Sequence, residues 1–245
     1  MMRQALKSAL KAVGLHGAYR RLHDDVTRWA SSTGRTRWTP LVPEDAFLES
    51  ARLAVRTLKD GGHTFGDYLE FGVSRGTSMA LMRRALGEAG LGEVRAVGFD
   101  SFEGMPPESA KEGWLPGEFH STIEATRRYL AANGADLARI ELVKGWFSDT
   151  CTPETTQRLG LKRASIIMID CDIYTASCEA LAYAGSFIGE RAILILDDWG
   201  WRSNVGERGQ QEAFEEFMAA RPDLSAAELP AYRPEARMFD ITRTR

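Results

Sequence analysis

The chain has 245 residues, 44% hydrophobic and 27% charged, a globular balance that excludes collagen-like, low-complexity and wholly disordered architectures. Its net charge of −3 is unevenly spread: residues 1–40 carry a balance of +6 and the remainder −9, so the acidic body offers no basic footprint for nucleic acid. No fully apolar run exceeds five residues, against the roughly 20 a membrane helix needs, and nothing at the N-terminus resembles a secretory signal.

In chain order, Leu6, Ala9, Leu10 and Val13 fall at helical spacing over 3–13, and a second helix is expected over 18–30. The stretch 31–43 is rich in Ser, Thr, Gly and Pro and reads as a connector. Pro43-Glu44-Asp45 opens a helix running to Lys59, with acids in its first turn and Gly61-Gly62 past its end. This divides the chain into an N-terminal helical extension, 1–43, and a main domain, 44–245. From Tyr68 short apolar strands (68–73, 94–99, 140–143, 165–169, 192–196) alternate with helical stretches (77–88, 121–133, 153–159, 175–188). That alternation predicts a mostly parallel α/β sheet with helices on both faces. A helix over 209–220 and two strands, 225–229 and 237–242, close the chain. Their short connection makes the last strand antiparallel.

Cys151, Cys171 and Cys178 form no disulfide framework and no Cys-x-x-Cys pair, and the four histidines show no zinc spacing. Free thiols in a reducing cytoplasm are expected.

Chemistry-bearing residues gather at strand ends. The first turn reads Glu70-Phe71-Gly72-Val73-Ser74-Arg75-Gly76-Thr77-Ser78. Its glycines permit a sharp turn and close ligand approach, and it is no P-loop, since no Gly-Lys-Ser/Thr follows. Asp100 ends the next strand, where an acid can accept hydrogen bonds from ribose hydroxyls. The combination points to a nucleoside cofactor, with Glu70, Gly72, Ser74, Gly76, Thr77, Asp100 and Ser101 as candidate contacts. Gly145 and Trp146, after the third strand, join them: Trp146 or Phe147 could stack on a base or pack in the core. The fourth and fifth strands end in Asp170-Cys171-Asp172 and Asp197-Asp198-Trp199. Such carboxylates repel one another unless a cation neutralises them, and hard oxygen ligands suit Mg²⁺, Mn²⁺ or Ca²⁺. The irregular stretch 102–120 reads as a binding loop whose Phe102, Trp114 and Phe119 form an apolar wall. His120, at its end, is a candidate acid/base group, or a helix cap.

Together, Glu70–Gly76, Phe99-Asp100-Ser101-Phe102-Glu103-Gly104, Lys144-Gly145-Trp146-Phe147, Asp170-x-Asp172-x-Tyr174 and Asp197-Asp198-Trp199 resemble the macrocin O-methyltransferase family over 44–200. The resemblance implies a Rossmann-like class I methyltransferase fold with a seven-stranded sheet. It also implies S-adenosylmethionine (SAM) as cofactor, Mg²⁺ or another divalent cation, and transfer of a methyl group to a sugar hydroxyl of a glycosylated natural product. Carried over by position, Asp170, Asp197 and Asp198 are the metal ligands, and Glu70, Gly72, Asp100 and Ser101 line the cofactor site. Asp170 or Asp172 is the expected base, with His120 and Tyr174 behind them. The chain departs from the family pattern at Ser74 and Thr77, where Trp and Gly are usual, and at Cys171 and Ile173, where Gly and Leu are usual. The alternatives are a catechol or phenol O-methyltransferase, and a non-catalytic protein that keeps the fold. The expected partners are a small glycoside and further copies of the chain, with neither nucleic acid nor a membrane span; the basic N-terminal helices are read as an oligomer contact or a lid in preference to a contact with anionic lipid.

Overall fold

The computed structural model describes residues 42–200 and 208–244; the helices expected over 3–13 and 18–30 lie outside them. Seven strands form one sheet: β1 (Asp67–Phe71), β2 (Ala96–Asp100), β3 (Ile140–Lys144), β4 (Ala164–Ile169), β5 (Ile188–Leu196), β6 (Leu224–Leu229) and β7 (Arg237–Arg243), in spatial order β3-β2-β1-β4-β5-β7-β6. The pairs from β3 to β5 are parallel, whereas β7 runs antiparallel to both β5 and β6. The antiparallel last strand is therefore inserted between β5 and β6.

Side-chain alternation feeds two cores. Tyr68, Ile166, Met168, Ile193, Ile195 and Met238 face one way, against α1 (Glu44–Asp60) and α2 (Thr77–Glu88), through Phe47, Ala51, Leu58, Met79 and Met82. Leu69, Phe71, Val97, Phe99, Ile167, Ile169 and Leu194 face the other way, against α6 (Tyr174–Gly185) and α7 (Gln210–Ala220). Burial on both faces is why these strands read as continuous apolar runs. Three shorter helices complete the described chain: α3 (Ile123–Ala132), α4 (Phe147–Thr150) and α5 (Pro153–Leu159).

The helix expected over 175–188 stops at Gly185, and Ile188 already pairs with Ala164 in the sheet. The apolar pair Phe187-Ile188 fits either period, and pairing across β4 decides it. In the irregular 102–120 stretch, Pro107–Glu112 forms a 3₁₀ turn, which the sequence pattern did not disclose.

Register places the chemistry. Phe71 lies opposite Phe99 and Ile169, and Ile169 lies opposite Leu196. The next residues along, Gly72, Asp100, Asp170 and Asp197, therefore share the carboxyl edge of the sheet. Here β1 connects outward to β2 on one side while β4 lies on the other, the switch point at which such sheets bind ligands.

Candidate functional site

A cavity of about 780 Å³ opens at this edge. On one side stands the β1–α2 loop. Gly72 has φ +90° and Gly76 φ +85°, and Ser74, with φ +44°, holds a left-handed conformation that a non-glycine residue seldom adopts. Three contacts hold Ser74 there: its N–H donates to Asp100 Oδ2 (2.7 Å), its Oγ to the Phe119 carbonyl (2.8 Å), and its own carbonyl accepts from Thr126 Oγ1 (2.5 Å). Phe119, Phe102 and Asp172 are the other non-glycine residues with positive φ among the described residues. Such strain gathered around one cavity points to a functional site.

Asp100 fastens this side. Its Oδ1 accepts from the Phe102 N–H (2.6 Å) while Oδ2 holds Ser74. Burial raises its carboxyl above the usual range, and the backbone donors of Ser74, Phe102 and Val73 pull it back. Ser101 spans a local turn: its Oγ donates to Gly104 O (3.0 Å) and accepts from Glu103 N (3.1 Å). Gly72, Ser74, Asp100, Ser101, Gly145 and Trp146 all line the cavity. Glu70, Gly76 and Thr77 do not. Glu70 lies fully buried beneath the loop, accepting from Ser78 Oγ (2.6 Å) and from the Tyr68 hydroxyl. Burial pushes it up to about 7 despite those two donors, with Asp100 and Asp197 adding repulsion. Gly76 begins α2 against Leu130 and Thr126, and Thr77 is buried in its first turn.

Across the cavity stand the aspartates. One carboxylate oxygen each from Asp170, Asp172 and Asp198 lies within 4.8 Å of the others. Asp197 lines the same cavity but is drawn to an ion pair between its Oδ2 and Arg233, leaving Oδ1 buried without a hydrogen-bond partner. Burial raises all four carboxyls: Asp170 and Asp172 well above the usual range and Asp198 to about 7, each with repulsion from neighbouring aspartates, and Asp197 only to about 6, because Arg233 and the adjoining Asp170 carboxyl pull it back. Asp172, at φ +62°, donates its N–H to Asp198 Oδ2 (2.9 Å), tying the β4 and β5 loops together. Four crowded carboxyls amid few donors are the chemistry of a hard-cation site.

Sequence reasoning missed Gln210. It is buried at the start of α7, donates to the Ile169 carbonyl (3.1 Å) and accepts from the Asp198 N–H (2.8 Å). It thus pins together the two strand ends that carry the aspartates. A lone glutamine on a helix carries no sequence signal for this role. Arg233, which enters the cavity from the β6–β7 connection, was likewise unmarked.

One expectation about the wall and one about the base need correction. Trp114 and Phe119 line the cavity, edge to face with centroids 5.3 Å apart, but Phe102 is 2% exposed and packs into the α1–α2 core, because its left-handed backbone turns the ring inward. Tyr174 does not line the cavity; its hydroxyl donates to Glu216 (2.6 Å) and accepts from Arg208 (2.9 Å). His120 is half-buried beside the cavity and not among its lining residues.

The macrocin-O-methyltransferase (TylF) family profile matches residues 46–222, which include Gly72, Asp100, Asp170 and Asp197. The chain belongs to the macrocin-O-methyltransferase (TylF) family. It is 29% identical over 161 residues to the 8-demethyl-8-(2,3-dimethoxy-alpha-L-rhamnosyl)-tetracenomycin-C 4'-O-methyltransferase of Streptomyces olivaceus, covering 62% of this chain and 59% of that protein. It is 22% identical over 192 residues to the mycinamicin III 3''-O-methyltransferase of Micromonospora griseorubida, covering 65% and 74%. Its fold matches that of the O-methyltransferase NovP with a TM-score of 0.66 at 20% identity, over 89% of this chain and 88% of that one. This TylF-family chain thus has the SAM-methyltransferase-like fold that the family resemblance implied. Among the described residues no helix is long and apolar enough to cross a membrane.

Proposed function

We propose that this chain is a SAM- and divalent-cation-dependent O-methyltransferase acting on a sugar hydroxyl of a glycosylated natural product. The observation that carries the reading is that a glycine-rich first loop and a cluster of Asp170, Asp172 and Asp198, with Asp197 beside it, open into one cavity. Family membership agrees, and the Streptomyces relative is named for methylating a rhamnosyl-bearing tetracenomycin.

SAM would lie along Gly72, Ser74, Asp100, Ser101, Gly145 and Trp146, supplying an electrophilic methyl group. The oxygens of Asp170, Asp197 and Asp198 would hold the cation, which lowers the pKa of a coordinated hydroxyl and orients it. The orphaned Asp197 Oδ1 fits that role, since a buried carboxylate oxygen without a donor is costly unless something positive meets it. The chain's own residues do the rest. Asp172 lines the cavity beside the other aspartates, where its carboxylate would take the hydroxyl proton as general base. Asp100 fixes the Ser74 backbone. Trp114 and Phe119 present an apolar wall that an aglycone can cover and a free hexose cannot, at roughly 25 cal/mol per Å² of apolar surface buried.

The test is turnover of labelled SAM on a rhamnosyl glycoside. Activity is expected to stop in EDTA and return with Mg²⁺, and undiminished turnover in EDTA contradicts the cation role.

A further inference from the structure

Among the described residues, Arg233 is the one basic side chain that lines the cavity. It meets Asp197 twice: Nη2 donates to the backbone carbonyl (3.2 Å) and forms the ion pair with Oδ2. Its mount is fixed. Gly200 N–H donates to Glu235 O (2.9 Å) and Ala236 N–H to Arg233 O (3.1 Å). The guanidinium sits 5.7 Å from the Tyr232 ring centroid, and Tyr232 packs edge-on against Phe47, with centroids 4.9 Å apart. An arginine held at so many points, with Nη2 alone making both contacts to Asp197, is a preorganised charge and not a surface side chain that has swung inward.

The consequence lies at the other carboxylate oxygen. With Oδ2 paired to Arg233, Asp197 cannot rotate without breaking a part-buried ion pair; Oδ1 is buried with no N–H donor, and the side chain's other neighbour is the Asp170 carboxyl. We propose that Arg233 is a positioning residue for the divalent cation: it locks Asp197 so that Oδ1 remains a free ligand atom. This rests on the cation reading given above and assigns a new residue to it. A guanidinium could instead compete with the cation for Asp197, and the two roles predict opposite effects of removing it.

Mn²⁺ and SAM affinities of the full-length chain, measured separately by calorimetry for the wild type, Arg233→Met and Arg233→Lys, decide between them. Losing an orienting partner of a ligand carboxylate weakens metal binding by about ten-fold or more, so that loss is expected for Arg233→Met. Arg233→Lys, which keeps the charge but not the guanidinium's planar shape and reach, should fall between Arg233→Met and the wild type. SAM affinity should not change in either, whereas a merely structural defect would lower both affinities together. If Arg233→Met does not fold, the same comparison is made with Arg233→Lys. Mn²⁺ affinity equal to or tighter than wild type overturns the proposal. A wild-type chain that binds no Mn²⁺ overturns the cation reading itself, and the role of Arg233 with it.

Discussion

A Cβ atom placed on Gly72 would lie 1.6 Å from the carbonyl oxygen of Asp170. The end of β1 therefore touches the start of the loop after β4, where the glycine-rich loop and the aspartate cluster both begin. Hydrogen bonds register the contact: Gly72 N–H donates to Phe99 O (2.9 Å) and Asp170 N–H to Phe71 O (2.8 Å). Gly72→Ala introduces both a clash with backbone and a side chain at φ +90°. Overpacking and the left-handed penalty together predict a loss of about 3 kcal/mol or more in urea unfolding. A variant as stable as wild type would show that the two strand ends are not in contact.

Asp100 carries two backbone N–H groups on its two oxygens. Asp100→Ala frees the Ser74 and Phe102 backbones and removes an acceptor from the cavity. SAM affinity should fall by about 1–3 kcal/mol, the scale of hydrogen bonds to a charged group, as read by calorimetry. Unchanged affinity in a folded variant rejects the cofactor role of Asp100.

Gln210→Leu removes the bridge between Ile169 O and Asp198 N–H; the carbonyl keeps the Asp197 N–H, and the buried Asp198 N–H loses its partner. Such a group costs about 1–3 kcal/mol, so the melting temperature should drop. Turnover should fall further than SAM affinity, because the bridged segment carries the aspartates. Equal losses of both would make Gln210 a general structural residue.

Glu70 supplies a pH signature. Its carboxyl sits at about 7 in the fold, against an ordinary value of 4.5. The native state therefore holds a proton that the unfolded chain releases, and stability falls as pH rises across that window. The contribution is full below about 4.5 and lost as pH climbs through about 7. In Glu70→Gln this part of the slope disappears, so the variant should gain on the wild type between pH 5 and pH 8, by at most about 3 kcal/mol. Urea midpoints at the two pH values measure it, and an unchanged difference between variant and wild type would show that Glu70 is ionised throughout.

The sequence revealed the fold wherever local pattern and global packing agree. Strands such as 165–169 are apolar because helices cover both sheet faces, and Gly72, Asp100, Asp170 and Asp197 mark strand ends by their position after those runs. What stayed hidden depends on tertiary contact. Glu70 reads as a cavity residue because it sits in the loop motif, yet strand alternation turns it toward Tyr68 and away from the cavity. Phe102 reads as a wall residue, yet its positive φ turns the ring into the core. Arg233 and Gln210 reach the aspartates from elements 36 and 12 residues away, over distances at which one sequence alone carries no periodic signal.

Methyl transfer from labelled SAM to a panel of rhamnosyl glycosides and simple catechols, run side by side with Mg²⁺, tests the central claim most directly. The account predicts turnover on at least one glycoside, strongest where an aglycone can cover Trp114 and Phe119, and little on catechols. Efficient turnover of catechols with none on any glycoside would contradict the sugar assignment.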